Sequence, residues 1–211
     1  MWFTTSFRLV CISILVNVLQ VISQSLQPQI PSVESFTAAA GQEPFILSAS
    51  VQIVVDSQWQ NFGSPSLGDF ANTFRADLVD VLGFSNFSQV VAGSSTTAHP
   101  SIFLTLESTL NHTLLNGLAT GEGYDFEITS VSYTISAAAP IGVWWGTRTL
   151  LQQAALIANS TGGSNGSVSI PAGSGSDSPG WGVRGFMLDA GRHFFFPSFL
   201  CEFPIYSPYP Y

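Results

Sequence analysis

The sequence predicts an α+β fold, an antiparallel sheet with helices on one face. Three observations point there. Stretches of alternating apolar and polar residues recur along the middle of the chain, and two other stretches repeat their apolar residues at spacings of three and four. The order runs strand, helix, several strands, helix, which is the grammar of a small layered domain. Apolar residues make up 45% of the 211, with Phe at 17 positions, so there is ample core material and the composition is not that of a disordered chain.

Residues 1–23 read as a secretory signal. A short n-region carries Arg8, and the apolar run Leu9–Ile22 is broken only by Ser13, Asn17 and Gln20. Modest residues, Val21-Ile22-Ser23, stand at the cleavage positions. An uncleaved anchor is the alternative, but the run falls short of the roughly 20 residues a membrane span needs. Residues 24–44 form a polar, Pro-containing lead-in that is expected to be poorly ordered. The α+β domain occupies 45–160. Phe45–Asp56 reads as a strand, with Val51, Ile53 and Val55 alternating against Gln52, Val54 and Asp56. Phe70–Phe84 reads as a helix that buries Phe70, Phe74, Leu78, Val81 and Leu82 and turns Asn72, Arg75 and Asp80 outward, with Asp69 as N-cap and Gly83 as stop. Ser101–Glu107, Asp125–Thr129 and Ser132–Ser136 are further strands, and Ala137–Pro140 a turn. A second helix, Gly142–Ala158, buries Val143, Thr147, Leu150, Leu151, Ala154, Ile157 and Ala158 and leaves Arg148, Gln152 and Gln153 wet. A Ser- and Gly-rich loop follows at 161–180, with one short extended piece at Val168–Ile170. Gly182–Leu188 is a short apolar strand within 181–200, and the Phe-, Tyr- and Pro-rich tail, ending in 201–211, fits neither helix nor strand.

Charge narrows the function. There is no lysine, and five arginines stand against 13 acids for a net charge of -8. The chain therefore lacks the basic stripe that phosphate neutralisation requires, which excludes nucleic-acid binding and disfavours anionic lipid surfaces. No segment after the signal is apolar for long enough to span a bilayer. Cys11 lies in the signal, leaving Cys201 to pair with another chain, to pair with a cysteine outside this sequence, or to stay a free thiol. Sequons at Asn86, Asn111, Asn159 and Asn165 agree with export to the extracellular space, a vacuole or lysosome-like compartment being the alternative. There is no phosphate-binding glycine loop and no Cys/His metal spacing, and His99, His112 and His193 are scattered. No catalytic residue, metal or cofactor is assigned.

One cluster stands out: Arg184, Asp189 and Arg192 within nine residues at the end of an apolar strand. It reads either as an ion pair pinning the strand end or as a ligand contact at a barrel mouth, where the planar donor fork of arginine suits vicinal sugar hydroxyls.

The stretch Asp177-x-Pro179-x-Trp181-x-x-Arg184-Gly185-x-x-x-Asp189-x-x-Arg192-x-Phe194 resembles the opening of the catalytic barrel of the β-N-acetylhexosaminidases, glycoside hydrolase family 20. Upstream, Glu122-Gly123-Tyr124 with Phe126 and Ile128 resembles a strand of that family, and Gly142-x-x-x-Gly146-x-x-Thr149-Leu150-x-Gln152 one of its helices. Together these span roughly Glu43 to Phe196, and the polar lead-in and sequons are most similar to fungal secreted members. The resemblance implies an N-terminal sheet-and-helix domain followed by a (β/α)8 barrel, of which this chain carries only the first strand. It further implies that Arg184 binds the 3- and 4-hydroxyls of a terminal sugar, with Asp189 and Arg192 as structural support. The implied activity is exo hydrolysis of non-reducing terminal N-acetyl-hexosamines, in glycans or chitooligosaccharides, with the 2-acetamido group as nucleophile and an adjacent Asp–Glu pair assisting. Homodimerisation of the full-length form is a further expectation. No Asp-Glu dipeptide occurs in the 211 residues, and Glu202 is the sole acid after Asp189. The chain is therefore expected to be a truncated N-terminal portion without activity of its own. Two other readings stay open: a non-catalytic secreted glycoprotein or interaction module, and a degraded sequence with no stable product.

Overall fold

The computed structural model describes residues 25–29, 31–84, 87, 89–94, 99–161, 166–184 and 196. Its strands are β1 (Ser35–Ala38), β2 (Phe45–Ser48), β3 (Gln52–Asp56), β4 (Val91–Gly93), β5 (Ser101–Leu106), β6 (His112–Thr113), β7 (Ala119–Thr120), β8 (Tyr124–Ile128), β9 (Ser132–Ala137), β10 (Ser167–Ile170) and β11 (Gly173–Asp177). The helices are α1 (Leu67–Leu82) and α2 (Pro140–Ser160). The chain divides into two units, 1–180 and 181–211, and all these elements belong to the first.

The main sheet has seven strands in the order β1-β11-β8-β9-β5-β3-β4, and β10-β2 and β6-β7 form separate two-stranded pieces. The α+β class holds, but the sheet is mixed. β1, β11, β8 and β9 run antiparallel, while β9, β5, β3 and β4 run parallel. The reason is visible in burial. Ile53, Val54 and Val55 are all buried in succession, as are Ile102, Phe103 and Leu104. Such runs belong to strands covered on both faces, the habit of parallel pairing. β8 and β9 instead alternate strictly, burying Tyr124, Phe126, Ile128, Tyr133, Ile135 and Ala137 and turning polar residues outward. The single strand expected over Phe45–Asp56 is two, because a turn at Ala49 and Ser50, closed by Val51 N–H donating to Ser48 O at 3.0 Å, redirects the chain. β2 then pairs with β10 rather than joining the sheet.

Both helices pack on one face of the sheet, α2 over β8, β9 and β5, α1 over β3, and the two against each other. The N-cap of α1 is Ser66, not Asp69. Asp69 is the third residue of a capping box: its N–H donates to Ser66 Oγ at 3.1 Å, and its Oδ2 accepts from the Ser66 N–H at 2.9 Å. The stop at Gly83 holds: its φ of 67° lies in the left-handed region, and its N–H closes onto Val79 O. Val81, expected in the core, is 53% exposed, because the stripe is already completed by Leu78 and Leu82.

α2 departs more from expectation. Leu151 and Ile157 are only half-buried, while Trp144, Thr149 and Gln153 go inside. Gln153, read as wet, is 1% exposed: its Oε1 accepts from the Gln27 N–H at 2.8 Å, and its Nε2 donates to Gln27 O at 2.8 Å and to Gln29 Oε1 at 2.7 Å. Arg148, also read as wet, is mostly covered. It lies 3.8 Å above the Trp144 ring and pairs with Asp77 of α1. The lead-in is therefore ordered where it meets α2 and where β1 adds an edge strand.

The loop expected over 161–180 contains two strands. β10 agrees with the short extended piece, but β11 was not anticipated, since Gly-Ser-Gly-Ser-Asp has none of the usual strand formers. Its glycines answer to their neighbours. A Cβ at Gly173 would lie 2.6 Å from Phe36 Cζ, and one at Gly175 2.5 Å from Phe126 Cζ. Those two rings stack on each other at 6.1 Å and 11°. Among the described residues no helix is long and apolar enough to cross a membrane.

Candidate functional site

Three separated stretches meet in one polar cluster that is buried at Tyr124 and Thr149 and reaches the surface at Asp177. Tyr124 opens β8, Thr149 lies mid-way along α2, and Asp177 ends β11. The Tyr124 hydroxyl shares a short hydrogen bond with Thr149 Oγ1 and donates to Asp177 Oδ2 at 3.1 Å. Asp177 Oδ1 also accepts from the Glu34 N–H at 3.2 Å, and Ser178 Oγ donates to Glu34 Oε2 and Thr113 O, both at 3.2 Å. Burial, with the neighbouring Asp177 charge added, pushes the Tyr124 phenol well above its ordinary range. Desolvation likewise raises Asp177, against the hydrogen bonds from Tyr124, Glu34 and Ser178 that favour its anion. The cluster ties β8, α2, β11 and the lead-in together.

The glycines of α2 serve the same closeness. A Cβ at Gly142 would strike Gly123 O and lie 2.7 Å from Ala137 Cβ, and one at Gly146 would lie 2.5 Å from Ile135 Cγ2 and 3.0 Å from Tyr124 Cδ2. The helix thus rests almost backbone-to-backbone on β8 and β9. In the sequence, Tyr124, Gly142, Gly146, Thr149 and Asp177 stood out only through the family resemblance. The hydrogen bonds that join three of them were not legible, because the partners are 25 and 53 residues apart.

Over β1, β11, β8 and β9 the sheet's other face is polar. Register sets Ser35, Ser176, Asp125, Ser136 and Thr105 side by side across β1, β11, β8, β9 and β5, and Thr105 Oγ1 donates to Asp56 Oδ2 on β3 at 2.8 Å. A second row, Thr37, Ser174, Glu127 and Thr134, runs beside it. With strands about 4.8 Å apart, the first row extends roughly 19 Å. A shallow groove of about 690 Å³ follows these rows. His112, on β6, closes on Asp125 with Nε2 3.1 Å from Oδ1. Hydroxyls and carboxylates so arranged can exchange hydrogen bonds with a polyhydroxylated ligand. Among the described residues no three of His, Cys, Asp and Glu gather as a metal ion would require.

The residues singled out in the sequence do not assemble here. Arg184 belongs to the second unit, is exposed, and donates from Nη1 to Trp181 O at 2.6 Å. Residues 182–184 carry no strand, and 185–188, Asp189 and Arg192 lie outside the described residues. Of the sequons, Asn111 precedes β6 and Asn159 sits near the end of α2, both exposed. Asn86 and Asn165 lie outside the described residues.

A mixed sheet under two helices, tied together by a polar cluster, makes this a layered α+β domain. The comparisons give the family. Residues 27–177 match the model of glycosyl hydrolase family 20, domain 2, and the chain belongs to that family. No curated protein matches it significantly. Among solved structures, a Flavobacterium johnsoniae chitobiase is similar at 22% identity and a TM-score of 0.52, over 80% of this chain and 24% of that one. A family 20 β-N-acetylhexosaminidase from Streptomyces coelicolor is similar at 23% and 0.52, over 82% and 30%. An exo β-N-acetylglucosaminidase from Vibrio harveyi, in complex with N-acetylglucosamine, is similar at 19% and 0.53, over 82% and 22%. At these identities the likeness is one of fold, and the chain spans less than a third of each structure's length.

Proposed function

We propose that this domain belongs to a secreted exo-acting β-N-acetylhexosaminidase that removes non-reducing terminal N-acetyl-hexosamines from glycans or chitooligosaccharides. The family match over residues 27–177 carries the reading. The three solved enzymes it resembles support it, one of them an exo β-N-acetylglucosaminidase holding N-acetylglucosamine. In this reading the domain braces a catalytic barrel, the substrate's 2-acetamido group is the nucleophile, and an Asp–Glu pair outside these 211 residues supplies orientation and the general acid. Arg184 contacts the terminal sugar, and Asp189 and Arg192 support it. Residues 1–23 are removed on export, and Asn86, Asn111, Asn159 and Asn165 carry glycans, in the manner of fungal secreted members.

Purified 211-residue chain is expected to release no chromophore from an aryl N-acetyl-β-glucosaminide, since it contains no Asp-Glu dipeptide. Sequencing the transcript through and past codon 200 is expected to reveal an in-frame continuation with that pair. Chromophore release by the chain alone would overturn the assignment of the acid to a later segment. A message that stops after Tyr211 would overturn the enzyme reading.

A further inference from the structure

We propose that the polar face of the sheet holds the chain's own N-linked glycan, attached at Asn111. The inference rests on the reading of the chain as secreted. Asn111 is exposed and immediately precedes His112. The His112 side chain packs directly over Gly123, where a Cβ would overlap it, and its Nε2 lies 3.1 Å from Asp125 Oδ1. Asp125 stands in the middle of the longer polar row, between Ser176 on β11 and Ser136 on β9. His112 therefore fixes the attachment point at the rim of the groove, one residue from a side chain that touches its lining.

The chemistry of the face suits this occupant better than a free one. Its outward residues offer hydroxyls as donors and acceptors and carboxylates as acceptors, the complement of sugar hydroxyls. The nearby rings of Phe36 and Phe126 point to the opposite side of the sheet, where they stack on each other. Without an aromatic platform among the described residues, a free saccharide gains little apolar contact and binds weakly. Tethering changes that balance, because a short flexible link gives an effective concentration on the order of millimolar without any new contact. A face too weak to recruit a saccharide from solution is strong enough to hold one anchored at its edge.

The test uses the full chain, expressed in a host that glycosylates. Peptide mass spectrometry first reads the occupancy of Asn111 and of Asn159, which sits near the end of α2 on the helical side and serves as internal control. Native protein is then treated with an endoglycosidase that cuts within the chitobiose core. Release at Asn111 is expected to lag release at Asn159 by about fivefold, as a local concentration some four times the dissociation constant would give. After denaturation the two sites should be cut equally. The double variant Glu127→Gln, Ser136→Ala alters only outward side chains and is expected to bring the native rates together. Equal native rates at the two sites would overturn the proposal, as would a lag that the face variants leave unchanged. An unmodified Asn111 beside a glycosylated Asn159 also overturns it while leaving secretion standing. Absence of glycan at every sequon would count against the secretory reading itself.

Discussion

Gly142→Ala is the substitution in which two opposing effects can be weighed from the geometry. In a helix, alanine is favoured over glycine by about 1 kcal/mol, so propensity alone predicts a more stable protein. The added methyl, however, would strike Gly123 O and lie 2.9 Å from Gly121 O and 2.7 Å from Ala137 Cβ. Two of those atoms are backbone carbonyls leading into β8, and they cannot rotate away as the end of a flexible side chain could. Overpacking of this kind costs about 1–3 kcal/mol, and rigid neighbours put Gly142 at the upper end. Subtracting the propensity gain leaves a net loss of about 2 kcal/mol, or roughly 4–8 °C in Tm for a unit of this size. Gly83→Ala supplies the contrast. Nothing lies within 4 Å of a Cβ there, but the φ of 67° is left-handed, so a loss of about 1 kcal/mol arises from backbone conformation alone. Thermal unfolding of the two variants beside the wild type is the assay. A Gly142→Ala protein as stable as the wild type, with Gly83→Ala destabilised, would refute the account of α2 as a helix seated on the strand backbone.

Two further predictions follow from the buried polar contacts. Asp177 is held above the ordinary carboxylate range, so the folded chain binds its proton more tightly than the unfolded chain does; that contribution to stability is full below the unfolded pKa and lost as pH rises through the folded one. Denaturant unfolding of wild type and Asp177→Asn between about pH 7 and pH 4 should therefore show the difference moving in favour of the wild type on acidification, and a pH-independent difference would contradict the burial. Gln153→Ala removes the partner of the Gln27 N–H and carbonyl, at a cost of about 1–3 kcal/mol for groups left unsatisfied. Hydrogen exchange at residues 25–38 should quicken while β9 stays protected, and equal exchange in both proteins would show that the clamp does not hold the lead-in.

What could be read in the sequence is what depends on local period. α1, α2, β8 and β9 carry their 3.6- or 2-residue patterns in full view, and Gly83 announces its stop. β11 has no such pattern, because its Gly-Ser-Gly-Ser-Asp is shaped by the Phe36 and Phe126 rings that press on it from strands about 140 and 50 residues away in sequence. Gln153 and Arg148 look wet by residue type, and only partners 126 and 71 residues distant turn them inward. The parallel half of the sheet was legible in principle, since three consecutive buried residues in β3 and in β5 contradict alternation. Reading Phe45–Asp56 as one alternating strand hid that signal.

Within residues 27–177, the positions of the family resemblance that come from β8, α2 and the end of β11 are packing and bracing residues. Gly142 and Gly146 set the distance between helix and sheet, and Tyr124, Thr149 and Asp177 lock β8, α2 and β11 to one another. Not one of them faces the groove or presents a reactive atom to solvent with a base beside it. A match built on such residues is strong evidence for the domain, because close approach and buried hydrogen bonds tolerate few replacements. Groups that discriminate between sugars must be exposed to them, and Gly142, Gly146, Tyr124 and Thr149 are buried. The polar rows on the far face are under the opposite condition. Every residue there meets solvent, and their alignment across five strands follows from the register together with the alternation that turns polar side chains outward.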